Sequence, residues 1–265
     1  MNVWQDRHIP LEGAFNFRDF GGYPSRFGGA VRRAVLYRSD GLHRLSAADR
    51  ARVAALGIRT LCDLRRARER ERMPSRWPEG VPVERLHLPL IGDEVPTSRE
   101  RLAVEGLGRD PQVARAVMAD IYRRMVSEPL AQASLASLLT RLADDGAVPL
   151  LIHCSGGKDR TGVACALILS LLGVPEDWVL ADYLASRELY TARIDLGRAA
   201  GQVFGQLGEA GDAEAVRPLY DVAPAYLACA FEEIAREYGD VEQYARRALR
   251  LGSAEIERIR ANLLG

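Results

Sequence analysis

A near-continuous apolar run, AVPLLIH at 147–153, passes through the short loop Cys154-Ser155-Gly156-Gly157-Lys158-Asp159-Arg160 into a second apolar stretch, TGVACALILSLL at 161–172. The first run fits a central strand with both faces covered. The second is apolar nearly all round, as a buried helix is. Strand, glycine-bearing loop and helix start together make an anion site: successive backbone N–H groups turn inward and the helix dipole adds positive potential. Such a junction demands an α/β architecture, with the loop at the sheet's carboxyl edge.

The rest of the chain agrees. Residues 30–37 (AVRRAVLY), 58–64 (IRTLCDL) and 82–90 (PVERLHLPL) read as strands. Residues 46–56 read as a helix that Ser46 caps, Asp49 completes as a capping box and Gly57 stops. Residues 66–72 form a charged helical turn ended by Pro74. Residues 98–145 read as largely helical, interrupted at Gly106–Pro111 and at Pro129. From Pro175 to Gly265 the pattern stays helical, with amphipathic stretches near 223–238, 240–251 and 253–264. Strands alternating with helices, then a helical tail, give α/β with a helical C-terminal region over 175–265.

Composition narrows the function. Lys plus Arg is 36 and Asp plus Glu is 36, so the 265-residue chain has no net charge and no bulk attraction for nucleic acid or an anionic membrane. No apolar run reaches the roughly 18 residues that span a bilayer, and the N-terminus lacks a Sec-type signal. The expected setting is the cytoplasm, with non-classical export left open. Cys62, Cys154, Cys165 and Cys229 make no metal-binding or disulfide spacing. Of the basic residues 35 are Arg; the sole lysine is Lys158, inside the loop.

Cys154 sits where the loop amides converge, a setting that favours thiolate over thiol. A thiolate in such a cradle is a nucleophile aimed at the centre of a bound tetrahedral anion. Arg160, six residues on, holds two phosphate oxygens with its planar fork. Gly156 and Gly157 let the backbone come close to the ligand. The amides of 155–161 bind phosphate, Lys158 adds a point charge, and the Thr161 hydroxyl is placed to donate to Cys154 as a leaving thiolate. His153 is structural, its ring bonding loop backbone. Cys62, Cys165 and Cys229 are core residues. The loop is not a Walker A motif, because Asp159 follows Lys158.

HCSGGKDRTG at 153–162 resembles the signature C-x5-R loop of the protein tyrosine phosphatase superfamily. Asn16-Phe17-Arg18-Asp19, Leu36-Tyr37-Arg38-Ser39, Leu56-Gly57-Ile58-Arg59-Thr60, Asp63-Leu64-Arg65 with Glu69, and Ala181-Asp182-Tyr183-Leu184 resemble the bacterial members that also dephosphorylate phosphoinositides. The resemblance implies one cysteine-phosphatase domain over 1–265, with a mainly parallel sheet flanked by helices and a helical lid over 95–128. It implies hydrolysis of phosphate monoesters by a phosphocysteine on Cys154, with no metal or organic cofactor. Substrates would be phosphotyrosine proteins, extending to phosphoserine, phosphothreonine and phosphoinositides; no partner beyond the phosphorylated substrate is implied, and oligomeric state is open.

The general acid must reach the ester oxygen away from Cys154. The resemblance points to Asp93, after the Leu-Pro strand end; Glu94 is adjacent, and Asp159, in the loop itself, is the second candidate. Asp63 orients Arg160 or Arg65, or forms a structural ion pair with Arg38 or Arg65. Glu69 and the arginines of 66–72 read as a solvated face, with Arg65 or Arg66 available to a second phosphate. Two rival functions use the same loop: a phospho-ligand binding module without turnover, and a loop-thiolate sulfurtransferase or arsenate reductase, for which Cys62 is the resolving candidate.

Overall fold

The computed structural model describes residues 4–97, 101, 110–204 and 212–265. Its strands are β1 (Arg18–Asp19), β2 (Leu36–Ser39), β3 (Thr60–Asp63), β4 (Glu84–His87) and β5 (Leu150–His153). They form one sheet in the order β1-β2-β5-β3-β4. All pairings are parallel except β1 with β2. β5 is central and buried on both faces, as its unbroken apolar run requires.

The helices are α1 (Ala47–Ala55), α2 (Ala67–Arg72), α3 (Pro111–Ser127), α4 (Pro129–Leu142), α5 (Arg160–Leu171), α6 (Glu176–Leu189), α7 (Leu196–Phe204), α8 (Ala213–Tyr220), α9 (Pro224–Tyr238), α10 (Val241–Arg247) and α11 (Ser253–Leu263). Ser46 caps α1 and Asp49 completes the box. One large core packs α5 between the sheet and α3, α6 and α9. A smaller core, holding Phe17, Tyr37, Leu61 and Leu151, lies on the opposite face of the sheet. That split follows from the two-residue period of a strand: Ile152 faces one core and Leu151 the other.

The strand expected at 30–37 is shorter. Ala34 has φ of 60°, outside strand geometry, so β2 begins at Leu36. Residues before it instead bridge to other segments: Ala30 to Pro24, Val31 to Leu264. Of the expected lid, 98–100 and 102–109 lie outside the described residues, as does part of the helical stretch read from 98. Residues 111–127 form α3, whose Val117, Met118, Tyr122 and Met125 are buried in the main core.

Candidate active site

The 154–159 loop leaves β5 at His153 and enters α5 at Arg160. Three of its carbonyls are held from outside the loop. Ser155 O accepts from Gly41 N at 2.9 Å. Gly156 O and Gly157 O accept from Asn16 Nδ2 at 3.2 and 3.0 Å, and Gly157 O also from Arg38 Nη2 at 2.9 Å. In a trans peptide C=O and N–H point in opposite directions. Pinning those three carbonyls outward therefore turns the amides of 156, 157 and 158 inward. The Gly157 amide already donates to Cys154 Sγ at 3.2 Å.

Glycine is required at 157. Its φ is 65°, and a Cβ there would lie 2.5 Å from Ser39 O and 2.6 Å from Asp40 N. The loop thus packs straight onto the end of β2.

The donors behind the loop are fixed by a buried charge cluster. Asp182 on α6 pairs with Arg38, and with Arg18 at 3.3 Å. Arg18 also donates to the Asn16 side chain. Burial raises the Asp182 carboxyl, but the charges of Arg38 and Arg18 outweigh it and hold the group below the usual carboxylate range.

In front of the loop stands Glu69, on α2. It takes both guanidinium nitrogens of Arg160, Nη2 to Oε1 at 3.0 Å and Nη1 to Oε2, and it accepts from the Ser155 hydroxyl. Burial alone would raise Glu69, yet the hydrogen bonds and charge of Arg160 hold it at about 2. Burial likewise opposes the charge on Arg160, and the negative charges of Cys154 and Glu69 overcome it, raising its pKa. Sequence reading placed Glu69 on a solvated face; it is the residue that orients the guanidinium.

Asp63 does not reach Arg160. It pairs with Arg65 through two bonds, at 2.9 and 2.7 Å, the structural pairing among those expected. Arg65 is buried with its guanidinium taken up by Asp63, Ser75 and Met73 O, and one nitrogen of Arg66 donates to Val95 O. His153 is fully buried, with Nδ1 3.2 Å from Cys154 O; burial holds its ring at about 4, against the pull of Asp63. The Thr161 hydroxyl is buried with no hydrogen-bond partner among the described residues, so the bond expected from it to Cys154 is absent, and Gly157 N–H takes that place.

Lys158 is buried, 2.7 Å from Asp159 Oδ2, and donates to Asp221 O at 3.1 Å. Asp159 also accepts from the Tyr122 hydroxyl at 2.6 Å. Asp93 lies on the turn after β4, its carboxylate 42% exposed and 3.5 Å from Arg68 Nε of α2. β4 and β5 run in one direction through β3, so the Asp93 turn and the 154–159 loop leave the same edge of the sheet. Cys62 is a free, buried thiol on β3 beside Ile152, and burial pushes it far above the range in which a thiolate forms.

The model of the tyrosine phosphatase family matches residues 9–265. The chain is 34% identical to the triple specificity protein phosphatase PtpB of Mycobacterium tuberculosis, over 96% of this chain and 98% of that protein. A Cupriavidus necator protein named as a tyrosine-protein phosphatase is 32% identical over 95% of this chain and 88% of its own length. A tyrosine-protein phosphatase of Nostoc commune is 30% identical over 59% of this chain.

Proposed function

We propose that this chain, which belongs to the tyrosine phosphatase family, hydrolyses phosphate monoesters through a phosphocysteine on Cys154. The observation that carries the reading is the inward ring of amides at 156–158 around a buried cysteine, closed by an arginine that a carboxylate holds in place. Three phosphoryl oxygens would lie against those amides and the Arg160 fork. Charge spread over those oxygens as phosphorus transfers is stabilised by donors already in place. Cys154 Sγ attacks phosphorus, the P–O bond to the substrate breaks, and the leaving oxygen takes a proton. Water then attacks the phosphocysteine, and the thiolate departs toward the Gly157 amide.

We assign the acid to Asp93. It stands at the loop's edge of the sheet and is half-exposed, held by one long ion pair to Arg68 at the rim that it can leave for the ester oxygen. Asp159 is the rival, but its oxygens are engaged by Lys158 and Tyr122, which fits a structural link between the loop and α3. Substrates are phosphotyrosine proteins, with phosphoserine, phosphothreonine and phosphoinositides in range. Similarity to a relative named for triple specificity supports that breadth. Among the described residues no helix is long and apolar enough to cross a membrane.

The test is hydrolysis of phosphotyrosine and phosphothreonine peptides and phosphoinositides from pH 5 to 8 with excess chelator. Turnover that survives the chelator and is lost in Cys154→Ser supports the cysteine mechanism. Asp93→Asn should slow substrates with poor leaving groups by about 10²–10⁴ and spare activated aryl phosphates. An Asp93→Asn enzyme that matches wild type, with Asp159→Asn impaired on poor leaving groups, moves the acid to Asp159.

A further inference from the structure

One buried carboxylate has no part in the chemistry above. Asp40, just after β2, is 5% exposed. Its Oδ1 accepts from Asn16 N at 3.1 Å and Ser39 Oγ at 3.3 Å, and its Oδ2 from Phe15 N at 3.2 Å. No cation pairs with it among the described residues. Asp182, just as buried, is gripped by two arginines. Burial pushes the Asp40 carboxyl up to about 6, against the amides of Asn16 and Phe15. Because the folded value lies above the ordinary one, stability is full below about pH 4 and declines as the pH rises through about 6. Ionised Asp40 is therefore a cost to the fold, which calls for a use.

Its hydrogen bonds lead to the catalytic loop. The Asn16 backbone amide rests on Asp40, and the Asn16 side chain holds Gly156 O and Gly157 O. Gly157 packs on the Ser39–Asp40 peptide, and Gly41 N holds Ser155 O. Residues 39–41 and 15–16 thus meet all three outward carbonyls.

We propose that Asp40 is a positioning residue for the phosphate site: by fixing the amides of Phe15 and Asn16 it sets the Asn16 side chain against the loop carbonyls, and so aims the loop's N–H groups. The proposal rests on the phosphatase reading of that loop. It extends the reading to a residue that never touches substrate.

Asp40→Asn tests it. Asparagine keeps the size and one acceptor oxygen but loses the second acceptor and the charge. The melting temperature at pH 7.5 should hold or rise. kcat on a phosphotyrosine peptide should fall about tenfold, since sub-ångström misplacement of catalytic donors is costly, with KM within about twofold. Vanadate affinity, read by calorimetry and so independent of turnover, should weaken by a similar factor. In the Asp40→Asn background, Asn16→Ala should add less than about twofold, because the two act through one chain of bonds.

Unchanged kcat and vanadate affinity in Asp40→Asn would overturn the proposal, as would Asp40→Asn and Asn16→Ala effects that multiply in full. If Asp40→Asn does not fold, Ser39→Ala carries the test: it removes one donor to Asp40 and should lower vanadate affinity two- to threefold, roughly the share of one neutral hydrogen bond, and no change would sink the idea. An inactive wild type would reject the phosphatase reading instead, while the vanadate comparison would still decide the role of Asp40.

Discussion

The loop between β5 and α5 has a back and a front, built on different physics. Behind it, Arg18, Arg38 and Asp182 have side chains at most 2% exposed, and together with Asn16 they fix carbonyls in several directions at once. In front, Arg160 and Glu69 are 14% and 22% exposed, and Asp93 is more open still. In the proposed mechanism the back would keep its partners through a turnover and the front would not: Arg160 would meet phosphate oxygens while Glu69 keeps its grip, and Asp93 would leave Arg68 for the ester oxygen. A backbone that must present several amides within tenths of an ångström is held by over-determined, dry contacts. Side chains that exchange partners sit where water can help them move. The fold therefore spends its most buried charges on geometry and leaves its exchangeable charges at the rim.

The largest expected effect falls on the back. Asp182→Asn leaves two buried guanidiniums without a counter-charge, and breaking a buried pair from one side costs about 3–5 kcal/mol. The melting temperature should drop on the order of 10 °C, and whatever activity remains should fall with the folded fraction. A drop of less than about 3 °C in a thermal melt at pH 7 would mean that the cluster is not the frame described above.

The front should respond the other way. Glu69→Gln keeps the shape but weakens the hold on Arg160, so kcat should fall about tenfold or more, while the melting temperature should fall by several degrees, less than in Asp182→Asn, because water still reaches this pair. The pH dependence has a fixed sign. Glu69 is held at about 2, below its ordinary value near 4.3. Its ion pair therefore stabilises fully above about pH 4 and is lost as the pH falls toward 2. The gap in melting temperature between wild type and Glu69→Gln should be flat from pH 8 to 5 and close below 4. A gap that closes near pH 6 would place the pair elsewhere in the charge network.

Much of the front-to-back axis was legible in the sequence, because it is local. The apolar run, the loop and the apolar helix are consecutive, and their order alone places Cys154 and Arg160 on one anion site. The α1 capping box is readable for the same reason: Ser46 and Asp49 are three residues apart. What escaped is non-local. Glu69 grips an arginine 91 positions away, and within ARERER its carboxylate looks like every other charge on a helical surface. Two signals were available: its place with Asp63-Leu64-Arg65 in the resembling motif, and its position as the third residue of α2, where its carboxylate accepts from the Arg66 backbone N–H at the helix start. Arg18 and Arg38 lie in strands too short or too buried for charge to be expected, and their partner Asp182 is on a helix more than 140 residues later. The Thr161 hydroxyl was assigned a bond to Cys154 by proximity in sequence, but the first turn of α5 carries it away and a loop amide does that work.

The smallest effect separates the sheet end from both faces of the loop. His153 precedes Cys154, the proposed nucleophile, and could be taken for a proton carrier. Its Nδ1 faces the Cys154 carbonyl at 3.2 Å, and a carbonyl only accepts, so Nδ1 carries the proton and the neutral ring is the form the fold selects. Burial holds it at about 4, below the ordinary 6.5. Between those values the unfolded chain binds a proton that the native one refuses, so stability is full above about 6.5 and falls as the pH drops toward 4. His153→Gln should flatten that slope, with melting temperatures of the variant and wild type converging by about 3 °C between pH 6.5 and 5. The shape of the kcat/KM profile from pH 5 to 8 should not change, because His153 is already neutral there. A basic or acidic limb that disappears in His153→Gln would make this residue part of the proton chemistry, and the rim would no longer hold all the groups that exchange partners.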